Sequence, residues 1–166
     1  MRKLKVFLGA YINVTNAQNL NCSALAKYLD KEKFEIFTIK LYSGNLTSPE
    51  ILGVSVFNCI YPHRLSKYLG YLWGIARCDI VYLPKGELNR WCRFWLKVLN
   101  KKSFTTIEIN LGVGGDTAMY RGLSKTYAIT QHIKEHSAKQ LKLFSENKIL
   151  YLGVEPEIFS IPRLNK

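Results

Sequence analysis

Two carboxylates, one histidine and a run of amides are the groups in this chain best suited to chemistry. Glu87 follows Pro84-Lys85-Gly86 just after an apolar run, and Glu108 sits late in Ser103 to Ile109. A carboxylate at the end of a strand can accept hydrogen bonds from ligand hydroxyls or assist proton transfer. Each also reads as a plain charged residue, Glu87 at the surface and Glu108 paired to a Lys or Arg. His63 and Arg64 follow Pro62. An imidazole titrates near neutrality and can donate to phosphate; it also reads as a simple turn residue. The stretch Asn13 to Asn21 carries five Asn or Gln side chains, Asn13, Asn16, Gln18, Asn19 and Asn21, with Thr15 among them. Amides both donate and accept, which suits sugar hydroxyls. Backbone N–H groups at the start of a following helix can hold a phosphate. The alternative is a polar turn that caps a helix.

Other patterns carry less chemistry. His132-Ile133-Lys134-Glu135-His136 spells the His-x-x-Glu-His order of a zinc-binding helix. So short a pattern, with Lys134 and Lys139 beside it, reads as a solvated helix face, and no metal is expected. Gly112-Val113-Gly114-Gly115-Asp116-Thr117 could cradle an anion but lacks the Gly-Lys-Ser/Thr ending of a phosphate-binding loop, so it reads as a turn. The Gly-x-Gly-x-x-Gly fingerprint is absent, which argues against a nicotinamide or flavin enzyme; no cofactor is expected. The segment from Arg90 to Lys102 is different in kind. Arg90, Arg93, Lys97 and Lys101 recur at helical spacing, and Trp91, Phe94, Trp95, Val98 and Leu99 fill the remaining faces. Such a helix can lie on an anionic membrane or a partner. It also reads as a core helix whose basic side faces water.

These groups need a scaffold, and the hydrophobic pattern supplies one. Strand signals cover Lys5 to Ala10, Phe34 to Tyr42, Val54 to Tyr61, Asp79 to Leu83, Ser103 to Ile109, Thr126 to Thr130 and Lys148 to Leu152. Helical spacing covers Cys22 to Leu29, with Asn21 as its cap, then Leu65 to Ala76, Arg90 to Leu99 capped by Asn89, and Gln131 to Phe144. Strands alternating with helices predict an α/β, Rossmann-like fold: a mostly parallel sheet with helices on both faces. Ligands of such sheets gather at the carboxyl ends of the strands.

Bulk properties narrow the class. A length of 166 residues suits one sizeable core, and 48% hydrophobic with 22% charged residues excludes general disorder. A net charge of +12 predicts attraction to polyanions. A nucleic-acid partner is not expected, because no nucleic-acid-binding motif is present. No apolar run approaches the length of a membrane span, and the basic, apolar start from Met1 to Ala10 is too short for a secretion signal. The cysteines Cys22, Cys59, Cys78 and Cys92 are widely spaced and read as buried thiols of a cytoplasmic protein.

Taken together, VFLGAYINVTNAQNLNCSALAKYLDKEKFEIFTI, NCIYPHRLSKYLGYLWGIARCDIVYLPKGE, FWLKVLNKKSFTTIE and the closing YLGVEPEIF are similar in order and spacing to the acceptor-side half of bacterial GT-B glycosyltransferases, of the retaining, sugar-nucleotide-dependent type. The resemblance implies a Rossmann-like N-terminal domain over residues 1–152, with 153–166 opening the linker to a donor-binding domain that does not follow. It implies a role in cell-surface polysaccharide or glycolipid assembly. Asn13 to Asn21 would face the interdomain cleft, and His63, Lys85, Glu87 and Glu108 would approach the acceptor or the transferred sugar. The expected partners are a sugar or lipid-linked acceptor, a nucleotide-sugar once a second domain or partner subunit supplies the donor wall, and an anionic membrane surface. The expected place is the cytoplasm, at the inner face of the plasma membrane, and the expected activity of these residues alone is small. The rival expectation is a non-catalytic α/β module held to a membrane or partner by the helix 90–102.

Overall fold

A computed structural model describes residues 2–42, 51–84, 87–107, 123–140 and 149. Strands and helices follow one another as β1 (Leu4–Tyr11), α1 (Ala17–Tyr28), β2 (Phe34–Leu41), β3 (Val54–Cys59), α2 (His63–Arg77), β4 (Ile80–Tyr82), α3 (Arg90–Val98), β5 (Lys102–Ile107), β6 (Lys125–Ala128) and α4 (Gln131–Gln140). The strands form one sheet in the order β3-β2-β1-β4-β5-β6, and every pairing is parallel. Ile149 adds an isolated parallel bridge to Ala128, at the position expected for the last strand. This is the doubly wound Rossmann order, in which the chain leaves β1 in one direction and returns to its other side.

Period-two alternation sorts the strand residues onto two faces. Phe7, Phe37, Ile39, Val81 and Leu83 pack with Tyr71 and Ile75 of α2 and with Cys92 and Leu96 of α3. Val6, Leu8, Ala10, Ile36 and Tyr82 pack on the other face with Cys22 and Ala26 of α1. Both faces are thus covered by helices, which is why the central strands read as unbroken apolar runs. Two glycines let α2 lie close to the sheet. A Cβ at Gly74 would run into the Phe7 ring, and one at Gly70 would come within 2.9 Å of Phe57.

The observed ends differ from the expected ones for local polar reasons. Helix α1 begins at Ala17 rather than Cys22, because Asn16, not Asn21, is its cap: the Asn16 side chain accepts from the Asn19 N–H at 2.8 Å. Strand β3 stops at Cys59, two residues early. The Ile60 N–H donates to Ser66 Oγ at 3.1 Å instead of to a strand, and α2 starts at His63 after the cis Tyr61-Pro62 bond. Strand β6 ends at Ala128, and Thr130 turns its hydroxyl to the Ile133 N–H at 3.2 Å to cap α4. Asn89 does cap α3, accepting from the Cys92 N–H at 2.9 Å. Among the described residues no helix is long and apolar enough to cross a membrane.

Candidate functional site

The crevice of a sheet with this order opens at the carboxyl ends of β1 and β4, where the chain departs in opposite directions. Tyr11 ends β1 there. Glu87 lies just beyond β4, with its N–H donating to the Pro84 carbonyl at 2.9 Å. Lys67 reaches in from the first half of α2. Its Nζ sits 2.7 Å from Glu87 Oε2 and 2.8 Å from Oε1, so it engages both carboxylate oxygens. Both side chains are mostly buried, at 26% and 16% exposure. The same ammonium lies 5.1 Å from the centre of the Tyr11 ring and 5.6 Å from that of Tyr71, within range of cation–π attraction to each.

Phenol and thiol groups complete the cluster. Tyr71 donates to the Gly9 carbonyl at 3.4 Å. Gly9 permits the close approach of the chain here, since a Cβ would meet the Leu83 side chain and lie 3.2 Å from the Tyr82 carbonyl oxygen. Burial, followed by the nearby Glu87 carboxylate, raises the Tyr71 phenol far above its ordinary range. Burial also raises the Tyr11 phenol, with Cys59 and Glu87 adding to the effect. Burial likewise raises the Cys59 thiol, although hydrogen bonds from Ser66 and Tyr11 oppose the shift. At neutral pH all three groups keep their protons, so Cys59 is no nucleophile and the phenols are donors. One carboxylate and one ammonium cancel. Tyr71 and Cys59 are fully buried, so what the cluster offers a ligand is the half-buried Tyr11 and the charge-balanced Lys67–Glu87 pair, an arrangement suited to a neutral polar ligand rather than a free phosphate.

The amide-rich loop is largely spent on its own fold. Asn13 clasps the end of β2 twice, its Nδ2 donating to the Leu41 carbonyl at 2.7 Å and its Oδ1 accepting from the Leu41 N–H at 2.9 Å. Asn16 caps α1 and Asn19 is buried. Thr15, which is exposed, and Gln18, which is half-buried, are the candidate ligand side chains left to this loop. His63 is exposed at the start of α2, with Nδ1 3.4 Å from the Cys59 carbonyl oxygen. It stands at the same edge, on the β3 side, one helical turn before Lys67 on α2. Lys85, Glu108 and the Gly112 to Thr117 loop lie outside the described residues.

Helix α3 also differs from its sequence reading. Trp91 and Trp95 are half-buried, Trp91 packing on Tyr68 at 5.3 Å and on Trp95 at 5.9 Å. They support the core and are not its exposed aromatic surface. Arg90 and Lys97 are exposed, Arg93 is half-buried, and Lys101 Nζ donates to the Ala76 carbonyl at 3.1 Å. A groove lined by Arg2, Lys3, Asp79, Asn100, Lys101 and Lys102 lies at the amino edge of the sheet, opposite the crevice.

Sequence reading singled out Glu87 but not the Tyr11, Lys67, Tyr71 and Cys59 that the structure gathers around it. The available signal was the pair Lys67 and Tyr71, four residues apart on the helix that feeds β4. Such a pair shares one helix face.

No protein-family model matches the chain, and no curated protein matches it. Among solved structures it is similar to a Rossmann-fold NAD(P)-binding family protein from Shigella flexneri, at 14% identity and a TM-score of 0.44. The match covers 76% of this chain and 65% of that one, so the chain spans less than two thirds of that protein's length. The fold assignment rests on the order and direction of the strands themselves.

Proposed function

We propose that the chain is the acceptor-side domain of a retaining, sugar-nucleotide-dependent GT-B glycosyltransferase of cell-surface polysaccharide or glycolipid assembly. The observation that carries this reading is the charge-balanced Lys67–Glu87 pair at the β1/β4 crevice, whose ammonium lies against the half-buried Tyr11 ring and the buried Tyr71 ring. A sugar acceptor offers hydroxyls and no charge at its reacting end. Glu87 accepts from such a hydroxyl while Lys67 keeps the carboxylate ionised and oriented. The turn after β1, Ile12-Asn13-Val14-Thr15-Asn16, contains no glycine, and Asn13 is engaged with β2. That supports a hydroxyl-bearing ligand over a dinucleotide, whose pyrophosphate needs close backbone approach. Glycosyl transfer also stabilises a leaving phosphate, which requires a donor wall facing this one. The 166 residues assayed alone are therefore expected to bind acceptor without turnover.

The test is titration of the protein with short glycan acceptors, nucleotide-sugars and NADH, read by NMR chemical shifts. Acceptor-induced shifts at Tyr11, Lys67 and Glu87, lost in Glu87→Gln, are expected. Tight binding of a nucleotide-sugar or of NADH to this crevice would overturn the reading.

A further inference from the structure

The sides of α2 and α3 turned away from the sheet form an apolar surface among cations. In α2, Ser66, Gly70, Tyr71, Gly74 and Ile75 are buried, which turns Leu65 and Leu69 outward. These leucines are 58% and 51% exposed. Helix α3 packs beside α2 through Trp91 and Tyr68, and its own outward apolar residues, Phe94 and Val98, are 56% and 54% exposed. Arg64, Arg77, Arg90 and Lys97 are all exposed on these helices, and neither helix contains an Asp or Glu. Scattered exposed apolar residues are ordinary; four on two adjacent helices without one carboxylate are a surface with a definite chemical preference.

We propose that this face docks on an anionic lipid bilayer, with Leu65, Leu69, Phe94 and Val98 entering the headgroup boundary and the cations meeting lipid phosphates. Apolar side chains flanked by Lys and Arg are the pattern of an interfacial helix, and anionic headgroups add attraction for each nearby cation. A second copy fits worse. A two-fold contact sets a patch against itself, so cations would meet cations with no acid to offset them. A nucleic acid fits worse as well, because Phe94 is the one exposed Phe, Tyr or Trp of the two helices and its neighbours Leu65, Leu69 and Val98 offer no ring to stack on successive bases. The face is separate from the crevice, so the inference does not depend on the acceptor reading.

The experiment is co-sedimentation of the protein with vesicles of phosphatidylcholine alone and of phosphatidylcholine mixed equally with phosphatidylglycerol. Binding to the mixed vesicles, falling with salt, is expected. Leu69→Ser/Phe94→Ser keeps every charge and alters only exposed side chains. It should weaken that binding about tenfold or more through lost apolar burial, with an unchanged circular dichroism spectrum. Leu65→Ser/Val98→Ser serves the same purpose should the first variant fold poorly. Absence of binding to the mixed vesicles overturns the proposal, as does equal binding by a folded serine variant. Light scattering that finds a dimer in the parent and a monomer in the variant also overturns it, because a second copy would then be the occupant.

Discussion

Glu87 and Lys67 owe their geometry to three elements at once: the turn after β4, the first half of α2, and the end of β1 that places Tyr11 over the ammonium. Glu87→Gln removes one charge of a mostly buried pair and leaves the other uncompensated. We expect a loss of about 1–3 kcal/mol in stability, measured by urea unfolding, together with loss of acceptor binding. Lys67→Met/Glu87→Gln removes both charges and should recover much of that stability but none of the binding. Asn13 has a different role from the one its sequence suggests. Asn13→Ala deletes two hydrogen bonds to the Leu41 backbone. It should cost about 1–2 kcal/mol while leaving acceptor affinity in the folded protein close to the parent value. A residue that bound sugar would show the reverse. Asn13 and Asn16 could not have been sorted from Thr15 and Gln18 by composition. An amide that satisfies a backbone and an amide that meets a ligand use the same donor and acceptor atoms.

At the scale of elements, α2 decides most. Its glycines set its distance from the sheet, and Gly74 sits against Phe7. Gly74→Ala favours the helix intrinsically by up to about 1 kcal/mol, yet the added methyl has no room. The net expectation is destabilisation of about 1–3 kcal/mol, seen as a lowered Tm. The other end of the sheet supplies a pH prediction. The Lys5 backbone N–H bonded to Asp79, aided by Arg2, holds the Asp79 carboxyl below its usual range. Protons therefore bind the unfolded chain first as pH falls, and the stabilisation, complete above about pH 4, is lost below it. Asp79→Asn should flatten the acid limb of a Tm-against-pH curve. The periodicities behind the elements were legible in sequence: the six strands and four helices of the described residues lie where alternation and helical spacing put them. Their ends were not, because side chains such as Asn16, Ser66 and Thr130 competed with the backbone for N–H groups. The crevice cluster was illegible for another reason. Tyr11, Cys59, Lys67 and Glu87 are scattered over 77 positions of sequence, and only the strand order brings them together.

Considered whole, the molecule keeps its thiols away from chemistry. Cys22, Cys59, Cys78 and Cys92 are all buried and form no disulfide with one another. Burial pushes Cys78 and Cys92 up to about 12. The folded state thus holds these protons after the unfolded chain has released them. Stability should be full below about pH 8.5 and decline as pH rises toward 12. Thiol reagent at pH 8 should label none of the four rapidly in the native protein and all four in denaturant. The net charge of +12 predicted a polyanionic partner. Among the described residues, part of that charge, Arg64, Arg77, Arg90 and Lys97, is exposed on the helices that bear exposed leucines, whereas in the crevice Lys67 is matched by Glu87.

Helix α2 presents opposite sides to these two regions, Lys67 inward and Leu65 and Leu69 outward. It is a spacer of fixed thickness. An α-helix with its side chains is about 10 Å across, so a bilayer touching the outer leucines would lie roughly one such width from the Lys67 ammonium. A lipid-linked sugar could then span from headgroup to crevice with its tail still in the membrane. A water-soluble sugar would have no use for the spacing. Acceptors carrying a lipid should accordingly gain apparent affinity when presented in vesicles, and by a factor that falls when Leu69 is made polar.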